Sequence, residues 1–79
     1  MEIREVFARN LRRHRQKKGM SQEALAHEAS VDRTYISALE RGVYGASIDM
    51  IEKLAKVLEV EPAALLNQDS DGSAPRLVP

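Results

Sequence analysis

The sequence has no cysteine. A disulfide staple and a thiolate metal site are both excluded, and the chain must hold together by packing. It also has no apolar run near the ~18 residues of a membrane span, and its first ten residues, MEIREVFARN, are too charged for the apolar centre of a signal peptide. A cytoplasmic protein is the expectation. No Gly-rich phosphate loop, carboxylate pair or Ser/His/Asp arrangement stands out. A single domain of 79 residues has little room for a pocket, so the sequence does not point to an enzyme or to a cofactor. His14 and His27 lie thirteen apart and match no ligand spacing, so no metal site is expected; His14 reads as a partly buried ring and His27 as a surface residue.

Net charge is absent as well, but only as a total: twelve basic and twelve acidic residues cancel. Residues 1–45 hold nine Lys/Arg against six Asp/Glu, and residues 46–79 hold three against six. Within RNLRRHRQKK, residues 9–18, six are basic and none acidic. A local field steers a polyanion whatever the total charge, so the chain has a basic half suited to nucleic acid. Arg12, Arg13, Lys17 and Lys18 are candidates for phosphate contacts, although one helix cannot aim all six charges at one duplex.

No strand pattern or repeat competes with helical spacing. Ile3, Phe7 and Leu11 mark one face of a helix over about 2–18, stopped by Gly19. Ser21 caps a second helix, 22–29, with Met20 and Leu25 at staple spacing. Asp32 is the expected cap of a third, ending before Gly42, with Ile36 and Leu39 inward. Ser47 caps a fourth that buries Ile48, Ile51, Leu54, Ala55 and Leu58. Pro62 opens a short fifth over about 62–66. The expected fold class is therefore all-α, a compact five-helix bundle over residues 1–66. NQDSDGSAPRLVP, residues 67–79, reads as a flexible tail. Leu65 and Leu66 cannot share one face of so short a helix, so one of them is expected to cover a partner subunit.

The stretch SQEALAHEASVDRTYISALERG, residues 21–42, holds two helices joined by a tight polar turn, with Leu25, Val31, Ile36 and Leu39 filling the wedge between them and Ala26 at the closest approach. With Ile36 and Leu39 inward, Arg33, Thr34, Ser37 and Ala38 are expected to face out or lie at the helix's open end. A cation at a helix N-terminus is opposed by the macrodipole. It makes sense where that end enters a groove lined with acceptors: Arg33 can bridge guanine O6/N7, Thr34 can bond a base or touch a thymine methyl, and small Ser37 and Ala38 allow close approach. Tyr35 suits a neighbouring helix and a DNA phosphate equally well.

LRRHRQKKGMSQEALA, VDRTYISALERG and SIDMIEKLAKVLEVEP together resemble the Cro/repressor-type (XRE family) helix-turn-helix regulators over residues 11–66, and among these the small controller proteins of restriction–modification systems. The resemblance implies a phage-repressor-type DNA-binding fold and assigns base reading to Arg33, Thr34, Ser37 and Ala38. It implies a phosphate contact for Gln22, which also braces the recognition helix, and for Arg41 with the backbone amides of Val43, Tyr44 and Gly45. It also implies a structural ion pair between Arg15 and Glu40. The sequence departs from the family at Ser30, which replaces a turn glycine, at His14, which replaces an apolar residue, and at Tyr44-Gly45-Ala46. A left-handed Ser30 would cost roughly 1 kcal/mol.

The reading is a sequence-specific transcriptional regulator that binds double-stranded DNA as a homodimer on a palindromic operator, with no membrane partner and no small-molecule effector. The alternative is an antitoxin-type interaction module that also binds its own operator.

Overall fold

A computed structural model describes residues 2–68 of the chain; most of the expected tail, residues 69–79, lies outside the described residues. Four α-helices, α1 (Ile3–Lys17), α2 (Gln22–Ala29), α3 (Arg33–Glu40) and α4 (Ile48–Leu58), precede one turn of 3-10 helix, Pro62–Leu65. The expected fifth α-helix is thus corrected to a 3-10 turn: Ala64 N–H donates to Glu61 O and Leu66 N–H to Ala63 O, both spanning three residues. Four residues are too few to develop the wider α-helical ladder. No helix among the described residues is long and apolar enough to cross a membrane.

Phe7 and Leu11 of α1, Leu25, Ala26 and Ala29 of α2, Ile36 and Leu39 of α3, and Leu54, Ala55 and Leu58 of α4 form one buried cluster, which Leu65 completes from the 3-10 turn. α3 packs on α1 and α2, α4 packs on α2, and the 3-10 turn lies against α1 and α4. Two apolar residues expected inside are outside. Ile3 is exposed and Ile48 is 84% exposed. Each is the first residue of its helix, where the Cα–Cβ bond points back past the helix start and away from the packed elements.

Leu65 is corrected too. It is fully buried within the monomer, so it cannot cover a partner, while its neighbour Leu66 is 38% exposed. The turn that carries them is pinned by Asn10, a buried residue of α1 whose Nδ2 donates to Leu65 O at 3.0 Å and Asn67 O at 2.9 Å. Sequence spacing gave no sign of this role.

Ser21 Oγ accepts from Ala24 N–H at 2.9 Å and Ser47 Oγ from Met50 N–H at 3.0 Å, so both serines cap as expected. Asp32 takes the extended cap conformation, but its side chain makes no cap hydrogen bond.

All four α-helices end in the same motif. The N–H groups of Met20, Val31, Val43 and Val60 reach back five residues to Arg15 O, Ala26 O, Ala38 O and Ala55 O. Each is preceded by a left-handed residue: Gly19, Ser30, Gly42 and Glu59. This is the Schellman closure, in which the left-handed residue is normally glycine. Ser30 and Glu59 bear the left-handed conformation with a Cβ, Ser30 as its replacement of the family glycine suggests.

One buried carboxylate ties α3 to both earlier helices. Glu40, with its side chain wholly covered, accepts from Arg15 Nε at 2.6 Å and Nη2 at 3.0 Å, and from Gln22 Nε2 at 3.1 Å. Arg15 Nη1 donates in turn to Met20 O at 2.8 Å, fixing the α1–α2 connection. By contrast the pair between Lys18 Nζ and Glu59, at 3.0 Å, is exposed.

Two stability outcomes follow. Ser30→Gly is expected to stabilise by about 1 kcal/mol, a rise of roughly 4–8 °C in melting temperature for a domain of this size; no rise would mean that the seryl side chain makes a compensating bond. Glu40→Ala strands the Arg15 guanidinium and is expected to lose about 3–5 kcal/mol in urea unfolding, whereas Glu59→Ala should lose under about 1 kcal/mol. Equal losses for the two would show that Glu40 is no more than a surface partner.

Candidate nucleic-acid interface

The polarity of α3 decides what its surface can do. Ile36 and Leu39 are fully buried, and Tyr35 packs half-buried against the core. That leaves Arg33 and Thr34 exposed in the first turn and Ser37 partly exposed one turn on. Arg33, Ser37 and Arg41 fall four residues apart and so lie on one face of the helix. The structure therefore brings Arg33, Thr34, Ser37 and Arg41 to one open surface. No side chain caps α3, so its first turn meets solvent with Arg33 and the Asp32 carboxylate at its lip.

Ala38 does not join them. It is only 4% exposed, and Val43 N–H closes on its carbonyl. The same bond uses up the Val43 amide, which is thereby removed from the expected phosphate-binding loop. The amides of Tyr44 and Gly45 bond to nothing among the described residues, and the side chains of Val43 and Tyr44 are exposed. The loop lies against the start of α1: a Cβ on Gly45 would sit 3.5 Å from Arg4 Nε.

Gln22 braces α3, since its amide donates to Glu40. The Arg15–Glu40 ion pair is present as a two-pronged contact. Lys17 and Lys18 lie elsewhere: they line a cleft with His14, Leu58, Glu59 and Val60, at the end of α4, and Lys18 is engaged by Glu59. The basic run of α1 is thus divided between two surfaces. Arg9 and Arg12 border the end of α3, while Lys17 and Lys18 border the end of α4. Their phase on the helix carries that division, but it becomes readable only once the partner helices are placed.

His14 Nε2 is buried without a hydrogen-bond partner. Burial, followed by the charges of Lys17 and Arg13, lowers the His14 pKa below its ordinary value. His27 is exposed. No group of three or more His, Asp or Glu side chains suited to a metal ion occurs among the described residues.

Known proteins share this fold. A helix-turn-helix family model matches residues 11–65. The control protein C.BamHI of Bacillus amyloliquefaciens is 46% identical over 72 residues, covering 90% of this chain and 89% of its own. The solved structure of the restriction-modification controller protein C.AhdI from Aeromonas hydrophila superposes with a TM-score of 0.75 at 42% identity, covering 78% of this chain and 94% of that one. The structure of SinR, a master regulator for biofilm formation, in complex with DNA superposes with a TM-score of 0.74 at 34% identity, covering 77% of this chain and 98% of that one. With the paired helices α2 and α3, the open first turn of α3 and this match over most of its length, the chain belongs to the helix-turn-helix family of transcriptional regulators.

Proposed function

We propose that this protein regulates transcription as a homodimer bound to a palindromic operator, and that it serves as the controller of a restriction–modification system. The observation that carries the reading is the orientation of α3: Ile36 and Leu39 anchor one side while Arg33, Thr34 and Ser37 stand at its open end. An arginine there can give two hydrogen bonds to guanine, and the short side chains beside it let the helix approach the base edges. The controller role rests on the likeness to C.BamHI and C.AhdI.

The dimer follows from information content. One eight-residue helix reads only a few base pairs, too few to single out a site in a genome. A two-fold pair doubles the contacts and sets half-sites about 34–36 Å apart, one helical turn. Of the two leucines expected at the interface, Leu66 is the one left exposed for a subunit contact.

Selection of bound duplexes from random DNA is expected to return sites with two-fold symmetry; recovery of asymmetric sites alone would remove the palindrome. Within such a site, Arg33→Ala is expected to lose about 1–3 kcal/mol at one base pair and relax the preference there. Competition with single-base variants reads this out, and an equal loss on every duplex would reduce Arg33 to a phosphate contact. Leu66→Glu should sediment as a monomer at concentrations where the parent protein is a dimer, and an unchanged dimer would place the interface elsewhere.

A further inference from the structure

Among the described residues two polar ones are buried, Glu40 and Asn10. Glu40 ties α3 to α1 and α2. Asn10 belongs neither to that site nor to the open turn of α3, yet it is completely covered. Its Nδ2 donates to Leu65 O at 3.0 Å and to Asn67 O at 2.9 Å, while Oδ1 has no partner. Both partners are carbonyls, so the opposite amide orientation would set oxygen against oxygen. A buried acceptor left unpaired is a penalty that an apolar residue would not carry. What the asparagine adds is the pair of donated bonds.

Those bonds have a particular place. The accepting carbonyls flank Leu66, one residue before it and one after. The 3-10 turn has no side-chain cap, and its own bonds from Ala64 N–H and Leu66 N–H hold only its interior. Leu65 anchors the turn in the core, but apolar contact is non-directional. Two hydrogen bonds from one planar amide fix the direction of the chain on both sides of Leu66.

Helix α1 relates that fixed point to the reading helix. It packs on both the 3-10 turn and α3. Asn10 and Arg15 stand five residues apart on it, roughly 7.5 Å along the axis. Arg15 in turn holds Glu40, at the end of α3, at 2.6 Å and 3.0 Å. From Arg33 to Leu66 the path thus runs through α3, Glu40, Arg15, α1 and Asn10, with a directional polar contact at each change of element.

We propose that Asn10 is the positioning residue of the subunit contact. By clasping both sides of Leu66 it sets where the two-fold axis lies relative to α3, and so the half-site spacing that the dimer accepts. The inference rests on the homodimer reading above, with Leu66 in the interface. It goes beyond that reading by assigning spacing to a residue too deeply covered to touch either DNA or a partner subunit.

The test compares Asn10→Leu and Asn10→Ala with the parent chain, at a temperature where circular dichroism shows each folded. Either variant frees Leu66, which must then be ordered on association, so the dimer dissociation constant in sedimentation should rise about tenfold. The decisive measurement uses palindromes whose half-sites are moved one base pair closer or farther, a turn of about 35° between them. The parent should favour the selected spacing, and the variants should bind all three spacings alike. Loss of stability alone lowers the folded fraction equally for every duplex and leaves that preference unchanged. Variants that keep the parent's preference, or a parent that has none, would overturn the role of Asn10 and leave the dimer intact. Failure of both variants to fold would overturn it too, making Asn10 a keystone of the monomer alone. A parent that sediments as a monomer, or a Leu66→Glu variant that stays a dimer, would instead remove the homodimer reading on which the inference stands.

Discussion

The buried carboxylate of Glu40 is the constraint on which the rest of the molecule depends. It sits at the last residue of α3 and is met by Arg15 from α1 and Gln22 from the first turn of α2. An isolated buried charge is prohibitive, so neither Glu40 nor Arg15 is tolerable without the other. A buried ion pair adds little net stability compared with apolar packing, but it is intolerant of misplacement. Here the two-pronged contact sets the rotation of α3 about its own axis. Leucine and isoleucine alone would hold the helix with more latitude. Because Ile36 and Leu39 are on the same short helix, fixing its rotation also fixes where Arg33, Thr34 and Ser37 stand.

The outline of the fold was legible because helical spacing, caps and stops agree. The two serine caps, the left-handed glycines, the Arg15–Glu40 pair and the outward Arg33 and Thr34 all stand where spacing and resemblance placed them. What was not legible depends on neighbours distant in sequence. Ala38 lies at the edge of the outward face in sequence, yet is buried in the fold. Leu65 and Leu66 differ only in which of them the 3-10 turn points inward. Asn10, set among charged neighbours, gives no hint that its amide secures a segment more than fifty residues away.

The charges show the same dependence on a larger scale. The run from Arg9 to Lys18 looks uniform as text, but the helix deals its members to different neighbours. Arg15 turns inward to Glu40, Arg12 stands at the edge of that site, Arg9 faces the end of α3, and Lys18 reaches Glu59 at the end of α4. One stretch of sequence therefore supplies both internal structure and external charge. The acidic second half matters in part because its Glu59 engages one of these cations at the end of α4.

The repeated helix ending has a mechanical side. After α1, α2 and α4, the residue following the left-handed turn (Met20, Val31 and Val60) rests on the hydrophobic core and seals the reversal. After α3 the equivalent residue is Val43, which is 49% exposed and seals nothing. Of the four like turns, the one after α3 thus lacks the apolar plug that the other three have. The turn leaves Tyr44 and Gly45 open beside the end of α3, while the body of that helix is seated on the core through Ile36 and Leu39.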